Sequence, residues 1–310
     1  MLIWIGGLIG GVLLMVLSSD KAVEHSLSLA ATLGISPLMI GLLLVSVGTD
    51  LPEIVNSIVS CALGHGNINA GDSIGSVLTQ ITLVLGLLPF FGRGFRVKKR
   101  EILVAGICEV LALMLVFSMA EKGYITRINA LLLVGSWPMY MLLTKGVTRR
   151  GVKTEDYKHH VLRGKFYHIS VAMLGFAGVA VGAYAMVKSA IALSATLGIP
   201  EYILSFFMLS IGTSLPELAV DLVAIRKKEY EVAIGDIIGS CIVDATLSIG
   251  IGQVFFPQTI AANLASTTIL YTIFASSVVI LILALREKMD KKAGAIFMML
   301  YALSYLTLTV

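Results

Sequence analysis

Three blocks of this chain occur twice, in the same order and with the same spacing. ATLGI at 31–35 returns at 195–199, SVGTDLPE at 46–53 as SIGTSLPE at 210–217, and GDSIGS at 71–76 as GDIIGS at 235–240. The offset is 164 residues each time, without a gap. Such a register implies two homologous halves, 1–144 and 168–310, joined by a basic loop at 145–167. Whatever fold the first half adopts, the second must repeat.

The halves are greasy. Of 310 residues, 57% are hydrophobic and 14% charged, where a soluble protein carries about 25% charge. The apolar runs are continuous rather than alternating, which argues against a β-barrel and implies helices of about 20 residues crossing a bilayer. Helices are expected over 2–31, 37–62, 69–92, 101–119, 124–144, 168–194, 201–225, 231–254, 262–285 and 293–309. The first lacks a basic lead-in and reads as a retained span, not a cleaved signal. The expected fold is therefore an all-α polytopic membrane protein of ten transmembrane helices.

Charge gives the halves their relative direction. Of the 23 Lys and Arg, all but Lys122, Arg127 and Lys188 follow an odd-numbered helix. Basic loops face the cytoplasm, so both termini are expected outside, in the cell membrane. The loop after the GTDLPE helix has no Lys or Arg, whereas its counterpart contains RKK at 226–228. The bias reverses at the next loop. Equivalent loops thus lie on opposite sides, and the two five-helix repeats are inverted. That arrangement places a transporter's site at the repeat interface near the midplane.

The repeated blocks put polar groups at that depth. Pro52 lacks an N–H and disfavours helix at Leu51. A break is expected at 48–52, freeing carbonyls of Ser46, Thr49 and Asp50. Thr49 and Glu53 share a face, as do Thr213 and Glu217. Ser76 with Gln80, and Ser240 with Asp244, form the same i, i+4 pairs on the next helix. Ionised groups so deep should face the bundle interior. Oxygen-only ligands suit hard cations, and two carboxylates with carbonyls and waters would complete the about 6–8 oxygens of a Ca2+ site. No His or Cys is read among the blocks, which argues against a soft metal. The bland alternative, a kinked packing motif, does not explain two copies with matched partners. Asp72 and Asp236 read first as helix N-caps, with ion binding as the alternative.

Other polar residues carry less. Asp20, Glu24 and His25 are expected to cap or snorkel at the end of helix 1, and Asp221 to line an access path or sit near the interface. Glu109 and Lys188 have no assigned role, and His159 and His160 lie in the hydrophilic loop. Cys61, Cys108 and Cys241 are expected to be small buried hydrophobes. A net charge of +4 reports topology and implies no nucleic-acid partner. No HExxH, P-loop or GxSxG is present, so an enzyme is not expected.

The GTDLPE/GTSLPE and GDxIGS blocks resemble the α-repeats of the calcium/cation antiporter superfamily, most closely its sodium/calcium exchanger branch. The resemblance implies exchange of Ca2+ for Na+ by alternating access, without ATP or cofactor. Its partners would be inorganic cations and the lipid bilayer, with no obligate protein partner. By position, it implies that Glu53 and Glu217 hold Ca2+ with the carbonyls of Thr49 and Thr213. Ser76, Ser214, Ser240 and Asp244 match flanking positions that serve Na+, and the carbonyls of Ser46 and Ser210 match ligand positions. Two positions depart: Asp50 stands where relatives have Ser, and Gln80 where they have Asn or Asp. The metal-facing acids would then be four, Asp50, Glu53, Glu217 and Asp244. Four ionised acids around one Ca2+ leave a net −2, so at least one is expected to stay protonated. Ca2+/H+ exchange is therefore the alternative, and a cation channel the rival of another class.

Overall fold

A computed structural model describes residues 1–32, 46–92, 94–145, 165–226, 228 and 230–307. The expected segment 37–45, most of the 145–167 loop with His159 and His160, and the last residues of helix ten lie outside them. The described chain is mostly helical. Among the described residues, seven helical rods are long and apolar enough to cross a membrane. The two exceptions to the helices are a two-residue antiparallel ribbon, β1 (Phe95–Arg96) with β2 (Lys288–Met289), and a bridge between Tyr124 and Thr259. That bridge is why the fifth expected helix begins at Arg127 rather than 124.

In chain order the helices are α1 (Leu2–Thr32), α2 (Ser46–Thr49), α3 (Leu51–Ala62), α4 (Gly66–Leu78), α5 (Leu85–Phe91), α6 (Lys99–Ala120) and α7 (Arg127–Lys145). The second half has α8 (Lys165–Leu197), α9 (Glu201–Leu204), α10 (Ser210–Thr213), α11 (Leu215–Arg226), α12 (Tyr230–Val243), α13 (Ile249–Phe255), α14 (Ala262–Arg286) and α15 (Lys291–Thr307). Three π-helical turns join pieces of single rods: Thr79–Val84, Ser205–Leu209 and Asp244–Ser248.

The repeat is visible in this order. The short α2 and α10 are equivalent, as are α3 with α11 and α5 with α13. Tertiary contacts repeat as well: α5 packs on α15, and α13 packs on α7, the same pair 164 residues apart. The two longest helices, α1 and α8, pair along their length. Glycine lets them touch, because a Cβ on Gly11 would fall 2.8 Å from the Gly182 carbonyl. At 31 and 33 residues they exceed a bilayer core of about 30 Å and must tilt or protrude.

Burial is reversed relative to a soluble protein. Phe166, Leu2, Ile128 and Leu285 are exposed, whereas Asp50, Glu53, Glu217 and Asp244 are among the most buried residues. An apolar exterior around a polar interior is what lipid selects.

Candidate ion-binding site

The second helical rod is interrupted at one residue. Helix α2 stops at Thr49, Asp50 takes φ −78° and ψ 9°, and α3 resumes at Leu51 with Pro52 in its first turn. The second copy breaks the same way at Ser214, with φ −80° and ψ 7°. The break is shorter than the sequence suggests, and it corrects which carbonyls are released. The Asp50 carbonyl accepts the Ile54 N–H at 3.0 Å, and the Ser214 carbonyl that of Leu218 at 3.2 Å. The Ser210 carbonyl accepts the Ser214 N–H at 3.1 Å. Proline deprives the carbonyl four residues back of its helical donor, which falls on Gly48 and Gly212. Ser46 opens α2.

These breaks face the two π turns. Gln80 lies in one, and Asp244 opens the other. Gln80 Nε2 donates to Asp244 Oδ2 at 3.1 Å. These two residues are 164 apart and are therefore equivalent. In a pair of units related by a two-fold, a residue meets its own equivalent only near the axis. Cys241 Sγ lies 3.7 Å from the carbonyl of Val77, again its equivalent. Glu217, the equivalent of Glu53, acts electrostatically on the Glu53 carboxyl. The axis of the repeat thus runs through the polar cluster.

Around it the sequence-derived residues are brought together unevenly. Thr213 Oγ1 donates to Asp72 Oδ1 at 3.2 Å and lies 3.3 Å from Ser76 Oγ. Ser210 Oγ is 3.4 Å from Thr79 Oγ1. The carboxylates of Asp50, Glu53 and Glu217 have no hydrogen-bond partner on either oxygen, although the residues are essentially fully buried. Asp244 Oδ1, Thr49 Oγ1, Ser214 Oγ and Ser240 Oγ are also unpartnered. Ser240 flanks Asp50, and Asp244 lies in the field of both Asp50 and Glu53. Buried acceptors without donors are strongly unfavourable unless a cation or proton joins them. Among the described residues, no three carboxylate, imidazole or thiol groups converge as a ready metal cage. A cation here would take two carboxylates at a time and complete its shell with carbonyls and hydroxyls.

Three sequence readings need correction. Asp72 and Asp236 are not N-caps: α4 begins at Gly66 and α12 at Tyr230, which places both inside helices. Asp72 instead accepts from Asn56 Nδ2 at 2.5 Å, a residue the sequence reading passed over. Cys241 is not remote from the blocks, since its Sγ lies 3.5 Å from Gln80 Oε1. His25 does not snorkel: it is buried, with Nδ1 2.9 Å from His168 Nδ1. Of the unassigned pair, Glu109 is buried and accepts from Ser276 Oγ at 2.6 Å, and Lys188 Nζ lies 5.6 Å from the Tyr184 ring.

The sequence model of the family described as Sodium/calcium exchanger protein matches residues 3–145 and 167–310. The chain belongs to this family. The chain is 31% identical to the inner membrane protein YrbG of Escherichia coli (strain K12), across 81% of this chain and 79% of the relative. The structure superposes on that of the H+/Ca2+ exchanger CAX with TM-score 0.79, 18% identity, and coverage of 98% of this chain and 82% of that one. It also matches the sodium-calcium exchanger NCX_Mj with TM-score 0.63, 25% identity, and coverage of 98% and 97%. The family and its fold make this chain a multi-pass membrane protein of the calcium/cation antiporter superfamily.

Proposed function

We propose that the protein is a secondary antiporter that exchanges Ca2+ for Na+ by alternating access at the Glu53–Glu217 pair. The observation that carries this reading is the set of buried, unpartnered carboxylates at the axis of the repeat. Glu53 and Glu217 supply the charge that binds Ca2+, with the Thr49 and Thr213 carbonyls beside them. Ser46, Ser76, Ser210, Ser214, Ser240 and Asp244 offer oxygens to Na+. Ca2+ and the counter-ions compete for overlapping ligands, so they occupy the site alternately. Coupling follows because an empty site with several negative charges crosses poorly. The reading includes ten spans in two inverted repeats, with 1–144 and 168–310 as the units and the basic loops cytoplasmic.

A second reading has its own observation. Asp50 adds a carboxylate with no counterpart at Ser214, and it is fully buried, with the Ser240 hydroxyl beside it and no basic group in an ion pair with it among the described residues. Such a group invites a proton, which favours H+ as part or all of the counter-ion. Uptake of radiolabelled Ca2+ into vesicles, driven by an outward Na+ gradient or by a pH gradient, separates the two. The Na+ gradient is expected to drive uptake. Uptake under the pH gradient alone establishes the second reading, and flux without either counter-gradient indicates a channel.

A further inference from the structure

The ribbon of β1 with β2 has a counterpart in the other half. Thr259 lies 164 residues after Phe95, and Tyr124 lies 164 before Lys288, so the Tyr124–Thr259 bridge joins the equivalent segments. The backbone contact is repeated, but the side chains are not. The turn from α14 into α15 carries Lys288, Lys291 and Lys292, whereas the equivalent positions are Tyr124, Arg127 and Ile128. The fold forms this turn with one basic residue and does not itself require three lysines.

The lysines line a cleft. It has a volume of about 490 Å3 and is bounded by Gly92, Gly94, Lys288, Asp290, Lys291 and Lys292. That lies within the range of small-ligand sites, about 300–1,000 Å3. Asp290 does not cancel the charge, because its carboxylate already takes Arg286 at 2.7 Å and lies 3.7 Å from Lys288. Lys291 and Lys292 are exposed, and among the described residues neither forms an ion pair. The cleft also sits at a boundary. The apolar spans Gly66–Phe91 and Ala262–Arg286 end within two residues of it, and Phe90, Phe91 and Leu285 are exposed at those ends. Lys291 Nζ lies 5.9 Å from the centre of the Phe90 ring, so the charged cleft is continuous with the apolar exterior. Lysines gathered where an apolar surface ends complement a molecule with a negative head and apolar tails.

We infer that this cleft binds the phosphate headgroup of an anionic phospholipid, with Lys291 and Lys292 supplying the charge and the exposed Phe90 ring meeting its acyl chains. The inference does not depend on which ions the protein exchanges. Basic residues at span ends also orient a chain during insertion, but that role predicts no preference for one headgroup in the folded protein.

The test uses the full-length protein purified in a neutral detergent. It is titrated with phosphatidylglycerol or with phosphatidylcholine, and bound lipid is counted by native mass spectrometry. One phosphatidylglycerol is expected to be retained in preference to phosphatidylcholine. Each Lys beside an anionic headgroup contributes about fivefold, so the double variant Lys291→Gln, Lys292→Gln is expected to weaken phosphatidylglycerol binding about 25-fold. Arg127→Gln, at the counterpart of Lys291, is expected to leave that binding unchanged. Equal binding of the two lipids, undiminished binding by the lysine variant, or an equal loss in the Arg127 variant overturns the inference. Displacement of phosphatidylglycerol by inorganic phosphate at millimolar concentration would make the ligand a free phosphate and overturn the lipid assignment. If the double variant does not fold, Lys292→Gln alone decides, with an expected loss of about fivefold.

Discussion

Asp50 is the one carboxylate of the GTDLPE block that its repeat does not share. Symmetry predicts the test: Asp50→Ser makes the two breaks alike. The variant is expected to keep Ca2+ exchange but to change the charge moved per cycle, by about one if Asp50 is deprotonated in the cycle. Currents from proteoliposomes under a fixed Ca2+ gradient measure this. An unchanged current per Ca2+ means that Asp50 holds the same proton throughout. The burial of Glu53, Glu217 and Asp244 in the bundle interior was legible in the sequence, because an acid in an apolar run has few explanations. Asn56 and Cys241 were not, because their partners, Asp72 and Gln80, sit on other helices. Asp72 shows the converse failure. An acid near a helix start looks like a cap, and only the start at Gly66, six residues before it, moves it inside.

At the scale of elements, proline and glycine announced the breaks at Asp50 and Ser214. They overstated the gap, because one residue with ψ near zero is enough to redirect the helix. The π turns left no signal. Thr79–Val84 and Asp244–Ser248 have ordinary helical composition, and tertiary packing sets their wider winding. Packing of α4 rests on missing side chains. A Cβ on Gly75 would strike the Phe206 carbonyl, while one on Gly239, its equivalent, meets nothing within 4 Å. Gly75→Ala is therefore expected to destabilise by about 1–3 kcal/mol, and Gly239→Ala to leave the melting temperature in detergent nearly unchanged. Equal effects would contradict the packing described. At α15, Asp290 Oδ1 accepts the Ala293 N–H at 3.0 Å, and Arg286 reaches Oδ2 at 2.7 Å. The Ala293 N–H, then Arg286, hold the Asp290 carboxyl below its usual range. A lowered native value stabilises at pH above the unfolded carboxylate range, and the gain is lost as pH falls through the native value. Asp290→Ala is expected to lose about 1 kcal/mol at neutral pH, with the difference shrinking in acid. A constant difference down to strongly acidic pH would argue against the cap.

The whole molecule is organised by its repeat, and here the sequence was most informative. The 164-residue offset reappears as equivalent helix breaks, equivalent packing of α5 on α15 and α13 on α7, and self-contacts at the axis. It could not reveal the uneven satisfaction of the two halves: Asp72 accepts from Asn56, whose equivalent, Val220, has no donor. The expected sidedness, with both termini outside, rests on charge alone. Fusions to the C-terminus test it: alkaline phosphatase is expected to be active there and a cytoplasm-dependent fluorescent protein dark, and the reverse pattern would invert the topology.

The central claim is that Glu53 and Glu217 carry the transported Ca2+ between them. The most direct measurement is counter-gradient-driven uptake of radiolabelled Ca2+ by Glu53→Gln and Glu217→Gln, at matched amounts of folded protein in the membrane. Each substitution keeps size and hydrogen bonding but removes one of the two charges at the axis. The account predicts that uptake is abolished in both. Uptake at the unsubstituted rate in either would place the ion elsewhere and contradict it.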